Sequence, residues 1–378
     1  MSGLYIHIPY CRQACHYCDF HFSTSLQSME NMVEAMEREM DIRLRDRVEK
    51  PVIKTLYFGG GTPSILPQTF LSRLFKSIES RFDPGTCEEI SFEVNPDDCS
   101  KENLRFWKSV GINRLSIGLQ SSHNNRLSWM NRIHSAEMGI RAVKTAQDLG
   151  LDNISLDLMY NFPESTLTEL NEDIQAILSL EPRHISAYGL TLEPKTVFGN
   201  QLKKGLLHPL PEESASDQFT CVSQSLQRAG FEHYEISNFA QPGFHSRHNS
   251  NYWFQVPYLG IGPGAHGFDG EVRYSNLPNN PGYIKSLLQD NQLVESLEKL
   301  TPENRANEMI LTRLRTSAGL NLSELRDKTS YDLIRQKSDL IHLWQKRGLI
   351  SYENGQIRLM PDGKLVADYL AMELMSPE

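Results

Sequence analysis

Along the first half of the chain, short apolar runs alternate with longer stretches whose apolar positions recur every three or four residues. The short runs are Leu4–Pro9, Lys54–Gly59, Glu89–Val94, Arg114–Leu119, Asn153–Met159 and His184–Leu190. Their length and their β-branched and aromatic content predict strands buried on both faces. Between them, Ser28–Val48, Pro67–Arg81, Lys101–Val110, Ala136–Leu149 and Thr166–Leu180 predict amphipathic helices. Pro67 and Ser100 mark helix starts; Gly111 and Gly150 mark stops. Six strands alternating with helices imply an α/β fold with a parallel sheet and right-handed crossovers, doubly wound or part of a barrel.

From about residue 296 the pattern changes. Thr301–Leu314 reads as a helix with Thr301 as its cap and Pro302 in its first turn. Helices over Leu322–Asp327 and Tyr331–Arg347 follow, the second stopped by Gly348. Leu349–Ser351 and Gln356–Leu359 pair around Glu353-Asn354-Gly355, an Asn-Gly hairpin signal. Pro361–Met375 closes the chain as a helix. Helices followed by a hairpin suggest a winged-helix-like unit, a shape that often binds DNA. Yet this region carries twelve acidic and twelve basic residues, without the basic stripe that phosphate contact needs. A packing or partner-docking unit is the better expectation.

Composition narrows the picture further. The 378 residues have a net charge of −9, which argues against a nucleic-acid binder. No run of about 18 apolar residues predicts a transmembrane helix, and the first residues lack the pattern of a signal peptide. Six cysteines are too few for a disulfide framework. The expected location is the cytoplasm.

Three of those cysteines carry the sharpest chemical signal. Cys11, Cys15 and Cys18 stand in C-x3-C-x2-C spacing directly after the first predicted strand. Three thiolates on one tight loop suit a [4Fe–4S] cluster, which four cysteines normally hold. One iron then lacks a protein ligand and is open to a chelating molecule such as S-adenosylmethionine, a cofactor of radical chemistry. A zinc site is the competing reading, with His16 or His21 as a fourth ligand. No second cysteine pair supports it, since Cys87, Cys99 and Cys221 stand alone.

Polar residues gather at the ends of the predicted strands. Glu93 and Asn95 end the third, Gln120 ends the fourth, and Asp157 lies late in the fifth. The cysteine loop follows the first strand, and Gly59-Gly60-Gly61-Thr62-Pro63 follows the second. Parallel barrels place their chemistry at this edge. Each residue alone reads as a helix cap or a hydrated carboxylate; together with the cysteines they read as a binding site. The glycine run lacks the Gly-Lys-Ser/Thr ending of a phosphate loop, but it lets a ligand approach bare backbone. Arg132 could meet a carboxylate with a bidentate fork; otherwise it is a solvated helix charge. Further along, His245 and His248 lie among Phe244, Tyr252 and Trp253. Imidazole is a usual heme ligand and aromatic rings stack on porphyrins. From these residues alone, an ordinary buried histidine beside a structural Trp is the better reading.

Taken together, six motifs carry a resemblance. They are Tyr5–Pro9, Tyr57–Pro63, Phe92–Pro96, Ser116–Ser121, Asp157–Tyr160 and His248–Trp253. With the cysteines, they make the chain resemble the radical S-adenosylmethionine proteins of the oxygen-independent coproporphyrinogen oxidase superfamily, and within it the HemW-type heme chaperone branch. The resemblance implies a partial (β/α)6 barrel with extra strands and a small helical C-terminal domain. Its divisions fall at 1–195 for the barrel, 196–295 for a barrel extension with the heme motif, and 296–378 for the C-terminal domain. It implies that Cys11, Cys15 and Cys18 hold a [4Fe–4S] cluster. It implies S-adenosylmethionine contacts from Tyr5, Tyr17, Gly60, Gly61, Thr62, Glu93, Gln120, Arg132 and Asp157. Thr191 and the loop through His266 lie where further contacts occur. His248 is the candidate heme-iron ligand, with His245, Cys221 and His266 as competitors.

Two departures separate the chain from the oxidases. They continue the cysteine motif as C-x-C, whereas Asp19 and Phe20 follow Cys18 here. They also carry a long N-terminal extension, whereas ten residues precede Cys11 here. A third departure is Asn161 where the superfamily usually has glycine, a substitution that left-handed backbone tolerates. The leading expectation is a chaperone rather than an enzyme. It would bind one heme and hand it to an acceptor protein such as a respiratory heme protein at a membrane, with the cluster structural or regulatory. A radical enzyme that decarboxylates a porphyrinogen is the alternative, and a zinc-stabilised DNA binder is a third. The sequence leaves a homodimer open.

Overall fold

The computed structural model describes residues 2–376 apart from 84 and 86. The alternating half begins with β1 (Gly3–Ile8), α1 (Met29–Leu44), β2 (Thr55–Gly60), α2 (Gln68–Arg81), β3 (Glu89–Val94) and α3 (Lys101–Ser109). It continues through β4 (Arg114–Gln120), α4 (Asn124–Trp129), α5 (Ala136–Asp148), β5 (Ile154–Tyr160), α6 (Leu167–Leu178) and β6 (His184–Gly189). All six strands expected from the apolar runs form, within two residues of their expected ends. They lie in the order β1-β2-β3-β4-β5-β6, each parallel to the next. That consecutive order is a singly wound partial barrel, not a doubly wound sheet.

The extra strands are what the periodicity left unread. After α7 (Val197–Lys203) and α8 (Glu212–Arg228) come β7 (Glu232–Glu235), β8 (Asn238–Ala240), α9 (Arg247–Trp253), β9 (Tyr258–Ile261), β10 (His266–Phe268), β11 (Val272–Asn276), α10 (Asn280–Leu288) and β12 (Glu295–Lys299). β8 and β7 extend the sheet antiparallel beyond β6. On the other edge, β9 pairs parallel with β1, and β10, β11 and β12 continue antiparallel. These strands have three to five residues, too short for a clear alternation to show in sequence. The result is one mixed 12-stranded sheet. Its core packs Phe58, Phe92 and Trp107 beneath the strands and the Met32, Met36 and Met40 face of α1 against them.

The C-terminal unit has a core of its own around Met309, Leu325, Trp344 and Leu370. It comprises α11 (Pro302–Leu314), β13 (Leu320–Asn321), α12 (Leu322–Thr329), α13 (Leu333–Lys346), β14 (Ile350–Glu353), β15 (Gln356–Leu359), α14 (Pro361–Leu365) and α15 (Ala367–Leu374). The Asn-Gly hairpin forms, with Asn354 and Gly355 both at positive φ. Two expectations need correction. Ser296–Lys299 sit in β12 of the large sheet, so the boundary at 296 falls inside a strand. The closing helix is two helices, because Val366 leaves helical geometry at φ −122°. No helix among the described residues is long and apolar enough to cross a membrane.

Candidate cofactor and heme site

The cysteine loop leaves β1 and is tied down from several sides. Cys11 N donates to Ser23 O at 3.0 Å, and Ser23 N donates to Pro9 O at 2.9 Å. Asn131, held at φ 60°, donates its side-chain amide to Ala14 O at 2.7 Å. His16 bonds the Trp129 carbonyl through Nδ1 at 2.9 Å, and Arg12 pairs with the buried Asp98 at 2.6 Å. So α4 and the turn after it fix the loop before any cofactor binds.

Two side chains approach the thiols themselves. Thr62 Oγ1 donates to Cys11 Sγ at 3.3 Å, and Arg132 Nη1 donates to Cys15 Sγ at 3.6 Å. The glycine run is needed on steric grounds. A Cβ on Gly61 would stand 2.6 Å from the Tyr10 carbonyl, and Gly60 has φ +112° with the His7 ring against it. Arg132 also donates to Asn95 Oδ1 and Gly118 O, each at 2.9 Å. Gln120 stands at φ 68°, where the β4–β5 register slips. That irregularity re-aims the strand end at the site.

These groups surround a cavity of about 600 Å³ lined by Cys11, Cys15 and Cys18. Tyr17, Gly60, Gly61, Thr62, Glu93, Gln120, Arg132, Asp157 and Thr191 line it as well. Tyr5 and His266 do not. They line a neighbouring cavity of about 830 Å³. The two cavities share Asp19, Phe20, Glu93 and Tyr188 as a common wall.

The electrostatics suit a charged ligand. Glu93 accepts from Tyr57 Oη at 2.7 Å and from Gly60 N at 3.2 Å. Burial outweighs both bonds and pushes its carboxyl up to about 7. Burial and the nearby Glu93 push Asp157 up to about 7 too, against the pull of Arg132. Two carboxyls poised near neutrality would ionise readily beside an arriving cation. Burial also raises Cys11 to about 12 and Cys18 to about 11. Such thiols stay protonated until a metal displaces the proton.

The donor set fits an iron–sulfur cluster. Three thiols share one loop and one cavity, and the two histidines nearby are each held at one ring nitrogen. His21 Nε2 bonds Asn280 Oδ1 at 2.8 Å, and His16 is held as above. Among the described residues, no three His, Cys, Asp or Glu side chains are grouped as the ligands of one metal ion.

His248 lies outside both cavities. It is 1% exposed. Its Nδ1 bonds Thr55 Oγ1 at 2.9 Å and its Nε2 bonds Tyr252 Oη at 2.8 Å. An iron ligand needs a free ring nitrogen, and His248 has none here. Of the competitors, His245 bonds Glu232 at 2.7 Å, and Cys221 bonds Asn171 from α8. Neither lines a cavity described above. Several lining residues gave no signal in sequence. Tyr57 and Tyr188 read as ordinary strand aromatics. Glu308 reaches the larger cavity from α11 and pairs with Arg273 of β11 through Nη2 at 2.9 Å, 35 positions away.

Comparison with known proteins agrees with this architecture. The model of the radical SAM superfamily matches residues 5–177, and that of the HemN C-terminal domain matches residues 300–366. The solved structure of coproporphyrinogen III oxidase (HemN) from Escherichia coli, described as a radical SAM enzyme, superposes with a TM-score of 0.84 at 23% identity. It covers 99% of this chain and 90% of that one. Fold and site thus define a radical S-adenosylmethionine-type protein. Among curated relatives, the heme chaperone HemW of Bacillus subtilis is 35% identical, over 97% of each chain. Those of Haemophilus influenzae and Escherichia coli are 32% and 35% identical, over 100% and 79% of this chain and 98% and 79% of theirs. The chain belongs to the HemW heme chaperone family.

Proposed function

We propose that this chain is a heme chaperone. It carries a [4Fe–4S] cluster on Cys11, Cys15 and Cys18, binds S-adenosylmethionine beside it, takes up one heme and passes it to an acceptor protein. The observation that carries the reading is the paired cavity. A thiol-lined cavity with Glu93, Asp157 and Arg132 shares a wall with a larger, aromatic one.

In the smaller cavity, Thr62 and Arg132 steady the sulfurs by donating to them. Glu93 and Asp157 offer carboxylates to the amino and ribose groups of S-adenosylmethionine. Gly60 and Gly61 keep side chains out of its path. A bound cluster would supply one-electron chemistry beside that cofactor. Phe20 stands where the oxidases have a cysteine, and its ring is 73% exposed on the wall between the cavities. In this reading a flat apolar surface, rather than another sulfur, would face the cargo.

The test is a two-stage assay on anaerobically reconstituted protein. Saturable binding of one hemin per chain, followed by transfer to an apo-acceptor without loss of porphyrin, is the expected result. Release of 5′-deoxyadenosine coupled to loss of coproporphyrinogen would replace this reading with that of a radical enzyme. The shared wall makes that enzyme the second reading, because it puts the larger cavity within reach of the smaller.

A further inference from the structure

We propose that Asn95 is a positioning residue for the iron–sulfur site. Held by Arg132, it turns the Thr62 hydroxyl onto the Cys11 sulfur and so makes the cluster easier to reduce. This rests on the cluster assigned in the reading above.

The contacts run in one direction only. Arg132 Nη2 donates to Asn95 Oδ1 at 2.9 Å. A guanidinium has donors and no acceptor, so the side of the amide that meets it is the oxygen. That leaves Asn95 Nδ2 facing Thr62, and it donates to Thr62 Oγ1 at 3.3 Å. An amide nitrogen accepts nothing, so the hydroxyl accepts there. Its single proton is then directed elsewhere, and Cys11 Sγ lies 3.3 Å away. The cation at one end thus decides where a neutral hydroxyl points at the other.

The backbone keeps each member in place. Thr62 is buried, and its N–H donates to Tyr10 O at 2.8 Å, so its hydroxyl hangs from the residue before Cys11. Asn95 N donates to Ser64 Oγ at 3.1 Å, and Asn95 O accepts from Asp98 N at 3.0 Å. Arg132 reaches a second thiol itself, donating to Cys15 Sγ at 3.6 Å. One guanidinium therefore serves two sulfurs, Cys15 directly and Cys11 through two side chains. Hydrogen bonds linked in this way polarise one another.

The consequence is a shift in potential. Hydrogen bonds to the sulfurs are among the settings of an iron–sulfur potential. Reduction adds negative charge, so a donor aimed at sulfur favours the reduced form. A donor that cannot turn away favours it more. Asn95 also lines the smaller cavity, so direct contact with S-adenosylmethionine is the competing role.

The test is a potentiometric titration of the full, anaerobically reconstituted chain, followed by electron paramagnetic resonance, without and with S-adenosylmethionine. Wild type, Thr62→Val, Thr62→Ser, Asn95→Leu and the double variant Thr62→Val with Asn95→Leu are compared. Iron per chain and circular dichroism check loading and folding. Thr62→Val should lower the equilibrium constant for reduction about tenfold, about 59 mV for one electron. Thr62→Ser keeps the hydroxyl and should keep the wild-type value. Asn95→Leu should lower the constant about threefold or more alone, but less than about 1.5-fold once Thr62→Val is present. An equal fall in both backgrounds, no fall in Thr62→Val, or an Asn95→Leu effect seen only with S-adenosylmethionine would each overturn the proposal. Asn95→Asp supplies a second reading that does not depend on the leucine variant. Its carboxylate would accept from Thr62 and draw the proton off Cys11. Proton electron–nuclear double resonance in H2O and D2O should show an exchangeable coupling in wild type that Asn95→Asp and Thr62→Val both lack. A coupling retained in either variant, or missing from wild type, would overturn the proposal as well. If wild type itself holds no cluster, the cluster reading falls, an outcome distinct from these.

Discussion

Tyr57 Oη donates a 2.7 Å hydrogen bond to Glu93 in the wall between the two cavities. The two residues occupy neighbouring strands, β2 and β3, so the sheet itself sets the contact. Tyr57 stacks on His248, whose ring centroid is 5.0 Å away. The aromatic run Tyr5–Tyr57–His248 thus props a carboxyl that faces both cavities. This gives His248 a structural role that its buried, doubly bonded ring can perform.

Glu93 makes stability depend on pH in a defined direction. Its pKa is raised from about 4.5 to about 7 by burial. The folded state therefore holds the proton more tightly than the unfolded chain. Its contribution is fully present below about pH 4.5 and is lost as pH rises through about 7. In urea titrations of the cofactor-free protein, wild-type stability relative to Glu93→Gln should fall by roughly 3 kcal/mol between pH 4.5 and 8. A flat difference would mean Glu93 is hydrated.

His248 titrates in the opposite sense. Burial lowers its pKa to about 3. Its contribution is present above the ordinary histidine value near 6.5 and is lost as pH falls toward 3. Removing the ring also strands the Tyr252 hydroxyl and leaves Thr55 Oγ1 only its longer bonds, to Ser2 O at 3.5 Å and from Asn251 Nδ2 at 3.4 Å. His248→Ala should cost about 2–4 kcal/mol in chemical denaturation at pH 7.5. A loss below about 0.5 kcal/mol would show that water replaces both bonds.

Glu39 is the second buried carboxyl with a positioning task. It is fully buried and bonds Arg43 at 2.7 Å, besides Gly262, Asn276 and Tyr283. Glu39→Ala leaves Arg43, itself 9% exposed, with Glu295 as its remaining carboxylate. The expected loss is about 3–5 kcal/mol. Glu39→Gln keeps the shape and should cost less. Urea midpoints decide it; a Glu39→Gln midpoint equal to that of wild type would show that the charge on Glu39 is irrelevant.

The cysteines divide into two sets. Replacing Cys11, Cys15 or Cys18 singly with serine should abolish stable iron incorporation, measured as iron per chain after anaerobic reconstitution. Serine at Cys87, Cys99 or Cys221 should leave that value unchanged. Cys99 is half-buried with its thiol on the Asn95 carbonyl at 3.5 Å, so Cys99→Ser also tests whether the site tolerates change behind β3. Iron lost equally in both sets would sink the assignment.

How much of this was legible in sequence depends on range. β1 to β6 were readable because buried parallel strands are continuous apolar runs. Asn161 was readable too: it sits at φ 61°, the left-handed geometry expected of it. The smaller cavity could be read from strand ends, because one sheet edge gathers them. The larger cavity could not. It joins β1, α9, β10, β11 and α11, and Arg273 meets Glu308 only through the packing of two units. The His248 environment was hidden for a related reason. A histidine in an aromatic motif announces a special environment, but not whether its nitrogens are open or spent on Thr55 and Tyr252.

Attachment of the C-terminal unit centres on Glu235 and Arg315. Glu235 is 1% exposed and accepts from Arg315 Nη2 at 3.0 Å and Asn238 Nδ2 at 2.7 Å. Backbone bonds flank the pair, from Ile236 N to Arg315 O at 3.1 Å and from Ser317 N to Tyr234 O at 2.9 Å. The segment after α11 thereby covers the outer edge of β7, which would otherwise offer unpaired backbone. Arg315→Ala leaves a buried carboxylate without its cation and should cost about 3 kcal/mol. Adding Glu235→Gln should recover part of that loss, because the stranded charge disappears with it. Urea unfolding followed at Trp344, inside the C-terminal core, reads both changes. Strictly additive losses in the double variant would show that the two side chains act independently. The docking would then reside in the backbone bonds alone.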